Sequence, residues 1–439
     1  MRSRLTVALG RTARLAARMR GGGSGGTAFP GLVMERTDPG FLERTLSRLP
    51  RGVIVVSGTN GKTTTTKMVV QLLREQGLKV FTNRTGSNFV RGVLAALLTE
   101  VDAAGNLDAD IAVLELDEAH AVHFVARVRP RACLLLNVMR DQLDRFGEID
   151  YTASLLHSIA KATSDVVVLN GDDPRLAAPA FLEGVSARVV SFGTGEDLRS
   201  LFLSDDDLRT GQTGPRAHQD ESQIPGPRVT LEAIDGQRAT VRVDGASHEV
   251  DFAIPGVHNL LNACAALGVV LEVLGEDADL PGLLTTLGTV QAAFGRGEVL
   301  TLDGRPVQLS LVKNPAGFRM GLLSAAAQAQ AGEVVVVAIN DEYADGRDMS
   351  WLWDVDFAAL RTNGVAVVTG VRAWDMALRL RYDDVEVTDV EPDLRKAVAL
   401  MRRAATDADR PMRIFTTYTA MLALRSILGE MTDVEEVMS

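Results

Sequence analysis

Residues 53–66 read VIVVSGTNGKTTTT. The β-branched run Val53-Ile54-Val55-Val56 predicts a strand buried on both faces, which in practice means a parallel strand inside an α/β sheet. Ser57 to Gly61 is too rich in glycine and small polar residues for strand or helix. A helical pattern opens at Lys62 and runs to about Gln76. Strand, glycine turn, Lys-Thr and helix together make a phosphate cradle. Glycines let the backbone approach an anion, the helix N-terminus adds its positive end, the lysine neutralises charge and the hydroxyl reaches Mg2+. Val56 stands where the longer form of the motif has a glycine, so this is the shorter variant GTNGKT.

Alternation continues on both sides of that stretch. Strands are expected at 79–82, 111–116, 132–136, 166–169 and 188–192, with helices at 90–100, 118–128 and 151–163. Such alternation predicts a mostly parallel sheet covered on both faces. Residues 196–227 are polar and aperiodic, and read as an insert. Three short strands follow at 228–234, 237–243 and 248–254, joined at Asp235-Gly236 and Asp244-Gly245, a strong hairpin signal, so a small antiparallel meander is expected. After a helix at 258–274, a second α/β alternation begins near residue 297, with strands at 333–339, 365–369, 385–388 and 413–417. The reading is a basic segment over 1–44, a nucleotide-binding domain over 45–295 and a smaller Rossmann-like α/β domain over 296–439.

At 439 residues with 46% hydrophobic and 23% charged residues, the chain has enough apolar content for a real core. Its formal net charge of -11 excludes nucleic acid as a general partner. Cys133 and Cys264 are the only cysteines. They sit among apolar neighbours and allow neither a disulfide framework nor a cysteine-rich metal site, so zinc is not expected. Six arginines and no acid fall in the first twenty residues, interleaved with Leu5, Val7, Leu9 and Leu15. That pattern fits an amphipathic basic helix, lying on an anionic membrane or packed on the body with its arginines in water. Gly21 to Gly26 reads as a flexible linker.

Polar clusters fall at the carboxyl ends of predicted strands, where open α/β sheets bind ligands. Glu115 ends one strand and is a candidate Mg2+ ligand together with Thr63. Asn137, Asp141 and Asp144 follow a second strand, and Asn170, Asp172 and Asp173 a third. Helix capping and turn formation are the competing roles for these side chains.

In content and order, GTNGKTT at Gly58, NVMRDQLDRFGE at Asn137, NGDDP at Asn170, GVHNLLNACAA at Gly256 and GRGE at Gly295 resemble the ATP-dependent Mur ligase family. The resemblance runs from about residue 45 onward. It implies ATP bound by Gly58, Thr59, Asn60, Gly61, Lys62, Thr63 and Thr64, with His258, Asn259, Asn262 and Arg296 also at the nucleotide. Mg2+ falls to Thr63 and Glu115, and catalysis to Lys62 and Glu115. Two departures stand out. Only about fifty residues precede the cradle, too few for the precursor-binding domain of amino-acid-adding members, and Tyr151 to Leu155 holds no lysine for carbamoylation.

Finer segments resemble the MurT branch of the family: ELDEA at Glu115, LVKNPAGF with Lys313 and Asn314, ADGRDMSWLWD with Asp348, and TYTAMLALR at Thr417. That resemblance implies a ligase subunit that amidates the D-glutamate of lipid II with ammonia from a GatD-type glutaminase, in the cytoplasm at the inner face of the membrane. It places Asp348 beside the partner's catalytic histidine. A helix N-cap before Trp351 is the alternative role for that aspartate. Zinc-ribbon cysteines of some relatives have no counterpart in the 196–227 insert. An amino-acid-adding ligase of the folylpolyglutamate or Mur type, and a nucleotide-binding scaffold, are the alternative functions.

Overall fold

The computed structural model describes residues 2–19, 28–83, 89–140, 149–202, 204, 224, 226–291, 296–328 and 332–431. Asp141, Asp144, the glycine linker and most of the 196–227 insert lie outside the described residues. The chain divides into two compact units, Met1–Val138 with Asp150–Ala253 and Asn259–Val290, and Met139–Ile149 with Ile254–His258 and Gln291–Ser439.

The first unit is built on nine strands: β1 (Val53–Ser57), β2 (Val80–Thr82), β3 (Ile111–Glu115), β4 (Ala132–Leu135), β5 (Val166–Asn170), β6 (Arg188–Thr194), β7 (Val229–Asp235), β8 (Arg238–Val243) and β9 (Ala246–Asp251). Their order is β2-β3-β1-β4-β5-β6-β7-β8-β9. All neighbours from β2 to β7 pair parallel, and β7-β8-β9 pair antiparallel. The meander is therefore not a separate layer: Phe192 to Thr194 pair with Val229 to Leu231 and carry the same sheet onward. β1, β3, β4 and β5 are buried at every position, as their unbroken apolar runs require.

Its helices are α1 (Arg2–Met19), α2 (Ala28–Thr37), α3 (Phe41–Leu46), α4 (Lys62–Glu75), α5 (Val90–Glu100), α6 (Glu118–Val125), α7 (Ile149–Ala162), α8 (Pro179–Leu182), α9 (Val257–Leu274) and α10 (Leu280–Thr289), with α7 and α9 each beginning at residues of the second unit. α1 packs on α2 and α5, with Gly10 against Met34 and Leu98, and buries Val7 and Ala13. Helix α2 was not anticipated, because residues 28–37 hold a proline and a glycine and show no clear apolar period.

The second unit carries six strands: β10 (Arg296–Leu302), β11 (Arg305–Leu311), β12 (Val334–Ala338), β13 (Val365–Thr369), β14 (Val387–Glu391) and β15 (Met412–Thr416). Their order is β10-β11-β15-β12-β13-β14, parallel except for β10-β11. Helices α11 (Pro315–Gln328), α12 (Ala373–Tyr382), α13 (Leu394–Ala408) and α14 (Tyr418–Gly429) cover it. The β10–β11 hairpin is absent from the sequence reading, although its signal is present. Asp303-Gly304 turns with φ of 51° and 77°, the same doubly positive turn as Asp244-Gly245 at 47° and 88°. β14 also runs later than expected, over 387–391, on the half-exposed edge of the sheet, where burial imposes little apolar pattern.

Candidate nucleotide site

The turn between β1 and α4 is held by two left-handed glycines, Gly58 at φ 133° and Gly61 at φ 88°. An added methyl at Gly61 would lie 2.6 Å from Asn262 Oδ1, so helix α9 presses directly on the cradle. Asn262 Nδ2 donates to Asn259 Oδ1 at 3.3 Å, and both asparagines are buried. The HN..N segment of α9 thus braces the loop from below. His258 stands in the first turn of the same helix.

Asn137, just past β4, clamps the loop. Its side chain accepts from Asn60 N–H at 2.8 Å and donates to Asn60 O at 3.1 Å, while its backbone carbonyl accepts from Thr59 N–H at 3.1 Å. Lys62 is buried and folded back over the turn, donating to Gly58 O at 2.5 Å and pairing with Glu118 Oε2 at 3.1 Å. A phosphate entering the cradle competes with these acceptors for the same ammonium. Thr64 is buried in the first turn of α4.

Thr63 Oγ1 donates to Glu115 Oε1 at 2.9 Å, so the two residues assigned to Mg2+ are already in contact. Asn83 fixes the end of β3 by donating to Glu115 O and accepting from Glu115 N–H. Asp117, two residues on, buries Oδ1 without a hydrogen-bond partner. A hydroxyl, a carboxylate and an unsatisfied carboxylate oxygen are hard donors that suit a divalent cation. Among the described residues no group of three or more His, Cys, Asp and Glu forms a self-contained metal cage. Mg2+ ordinarily binds through one or two carboxylates plus phosphate and water, and these residues fit that arrangement. Asn83 and Glu118 escaped the sequence reading. Glu118 lies in the ELDEA segment, but nothing in one dimension pairs it with Lys62.

Other candidates have local duties. Asp172 Oδ2 accepts from Thr194 N–H and Oγ1 at 2.6 and 2.9 Å, stapling the end of β5 to β6. Asp173 accepts from Val138 N–H at 2.7 Å and holds the segment just past β4. The backbone of Arg296 opens β10.

In the second unit, Asn314 is fully buried and accepts from Gly317 N–H at 2.8 Å, capping α11; Lys313 precedes it, half-buried. The loop after β12 is tied to the start of α14. Asn340 N–H donates to Thr417 Oγ1 at 2.9 Å, and buried Asp345 accepts from Thr419 N–H at 2.8 Å and from its hydroxyl. Asp348 is half-buried and accepts from Ser350 N–H at 2.9 Å. Its bonds to the Ser350 side chain and backbone hold its carboxyl below the usual aspartate range. Buried Arg379, on α12, pins the following segment through Leu352 O and Val355 O, with its guanidinium over the Trp353 and Phe357 rings. Burial pushes the thiols of Cys133 and Cys264 up to about 12.

The fold and the cradle place the chain in a known class. Residues 56–270 match the Mur ligase middle domain, and residues 311–421 the MurT ligase C-terminal domain. The structure is similar to that of MurF ligase from Thermotoga maritima in complex with ADP, with a TM-score of 0.67 at 18% identity, covering 91% of this chain and 84% of that one. These are the marks of an ATP-dependent ligase of peptidoglycan biosynthesis. Within that class the sequence is 30% identical to the lipid II isoglutaminyl synthase (glutamine-hydrolyzing) subunit MurT of Staphylococcus aureus strain COL, over 91% of this chain and 92% of that one. It is 29% identical to the subunit of the same name from Streptococcus pneumoniae, over 94% and 95%. The chain belongs to the MurT branch of the Mur ligase family.

Proposed function

We propose that this chain is the ligase subunit of a lipid II isoglutaminyl synthase. ATP bound at the cradle converts the α-carboxylate of the stem-peptide D-glutamate to an acyl phosphate, and ammonia displaces the phosphate to give D-isoglutamine. The observation that carries the reading is the Lys62–Thr63–Glu115 constellation, in a chain resembling MurT subunits along nearly its whole length.

Each residue has a stated task. The α4 N-terminus and the Lys62 ammonium stabilise the transferring phosphoryl group, and Asn137 and Asn262 keep the loop in register for it. Thr63 and Glu115 would hold Mg2+, which supplies charge neutralisation at the phosphates.

The ammonia comes from elsewhere. Glutamine hydrolysis needs an activated nucleophile, and both thiols of this chain are fully buried and held protonated. A GatD-type glutaminase partner is consistent with the relatives' description as subunits. The second unit offers a surface for it. Trp374, Leu378 and Tyr382 are more than half exposed along α12, as is Val371 in the turn before it, and exposed Trp353 packs edge-on against Tyr382 at 5.1 Å. Contiguous exposed aromatics of this kind mark protein interfaces. Asp348 lies five residues before Trp353, where its carboxylate can serve a partner's histidine. We place the complex in the cytoplasm at the inner membrane face.

The test is reconstitution with a class I glutaminase, lipid II, ATP, Mg2+ and glutamine. Amidated lipid II with ADP and phosphate is expected. Amino acid incorporation instead of amidation would make the chain an adding ligase, and ATP binding without turnover would make it a scaffold.

A further inference from the structure

Helix α1 buries one face and leaves the opposite one in water. Thr6, Val7, Gly10 and Ala13 are buried. Leu5 and Leu15 are 60% and 61% exposed, and Leu9 is 39% exposed. With roughly 100° of turn per residue, Leu5, Leu9 and Leu15, with Ala8, Ala16 and Thr12 between them, share one outward arc about 120° wide, and the Thr12 hydroxyl donates to Ala8 O at 2.8 Å within the helix. Exposed Arg4 and Arg11 run along one edge of that arc, and exposed Arg2 along the other. A helix that only packs on its own domain turns polar residues outward. This one turns leucines outward and frames them with guanidinium groups.

Charge gives the occupant. α1 holds five arginines and no acid, in a chain of net charge -11. Arg2 leans on buried Asp38 at 3.6 Å, and Arg11 donates to Val101 O at 2.9 Å, which orients its guanidinium without neutralising it. The rest of the molecule is repelled by a negative surface, and this face is drawn to one. An exposed apolar arc framed by arginines is the arrangement of a helix lying in a lipid interface.

We infer that the outward face of α1 docks on the anionic headgroup layer of a membrane. Leu5, Leu9 and Leu15 enter the acyl boundary, and Arg4 and Arg11 meet lipid phosphates. The inference is independent of which carboxylate the cradle serves.

The experiment is sedimentation of the full chain with vesicles of phosphatidylglycerol and phosphatidylcholine in equal parts, against pure phosphatidylcholine. Binding to the mixed vesicles alone is expected, weakening as salt is raised. Arg4→Ala with Arg11→Ala should lower it about twenty-fivefold, from roughly fivefold per surface arginine. Leu5→Ser with Leu15→Ser should lower it as well. Both pairs change exposed positions, so ATP affinity should stay as in the parent chain; Leu5→Ser with Leu15→Ser should keep the melting temperature, and Arg11→Ala lowers it only by the lost bond to Val101 O. Failure of the parent chain to bind anionic vesicles overturns the inference, as does binding that neither pair weakens. If the variants keep vesicle binding but lose assembly with a glutaminase, the face belongs to a protein and the membrane assignment is wrong.

Discussion

The ammonium of Lys62 lies 3.1 Å from the Glu118 carboxylate, and both groups are buried beneath the cradle. This pair joins catalysis to stability. Lys62→Met removes the charge proposed to face the transferring phosphoryl, and ATP turnover should then fall by about a hundredfold to a thousandfold. It also strands Glu118, so unfolding should cost about 3–5 kcal/mol less than in the parent. Adding Glu118→Gln should return much of that stability and none of the turnover. A double-mutant cycle read by denaturation and ATPase assay checks both. Turnover retained by folded Lys62→Met would refute the cradle.

Gly61→Ala is the sharpest steric probe. Its φ of 88° disfavours any side chain, and the new methyl would stand 2.6 Å from Asn262 Oδ1. The left-handed conformation alone costs about 1–2 kcal/mol. Nucleotide affinity should drop at least tenfold by that free energy and the clash together. Asn262→Ala should relieve the clash and restore only part of the loss, as measured by calorimetric titration with ADP.

On the proposed role of Asp348, Asp348→Asn should separate the two half-reactions. Glutamine-dependent amidation should fall, because an amide cannot stabilise an imidazolium as a carboxylate does. Ammonium salt should restore product, more strongly as pH rises toward the amine pKa of roughly 9. Because the Asp348 pKa is lowered, its stabilising bonds to Ser350 are complete above the ordinary aspartate range and fade only as pH falls through its lower folded value. Loss of ammonia-driven activity as well would move Asp348 into the ligase step.

Arg379→Met should loosen the segment that carries Asp348 and Trp353. It deletes donors to Leu352 O and Val355 O and leaves the Asp383 carboxylate without its partner on α12. A loss of about 3 kcal/mol is expected for these buried, charge-assisted bonds, read as a lower melting temperature. ATP binding should be unaffected.

Cys133 and Cys264 should resist iodoacetamide at pH 8 in the native chain and react on unfolding, since burial holds both thiols near 12. Rapid native alkylation of either would reopen the question of an internal nucleophile.

Much of this was legible in one dimension. The run VIVV can be satisfied only by burial on both faces, and β1 is buried throughout. GTNGKT needs left-handed glycines, and Gly58 and Gly61 have them. Asp-Gly between alternating residues determines the turns at both Asp244-Gly245 and Asp303-Gly304 through backbone sterics alone. These are local rules, decided by neighbours within a few residues.

Tertiary structure decided what depends on distance across the chain. Glu118 lies 56 residues from Lys62 and Asn137 lies 77 from Asn60, and no periodicity records such partners. The order β3-β1-β4 brings the ends of three strands to one turn, which makes Glu115 a neighbour of Thr63 and Asn137 a clamp. The outward leucines of α1 were equally beyond the sequence. Its apolar residues fall on both sides of the helix, and only packing against α2 and α5 determines which of them are buried and which are left facing water.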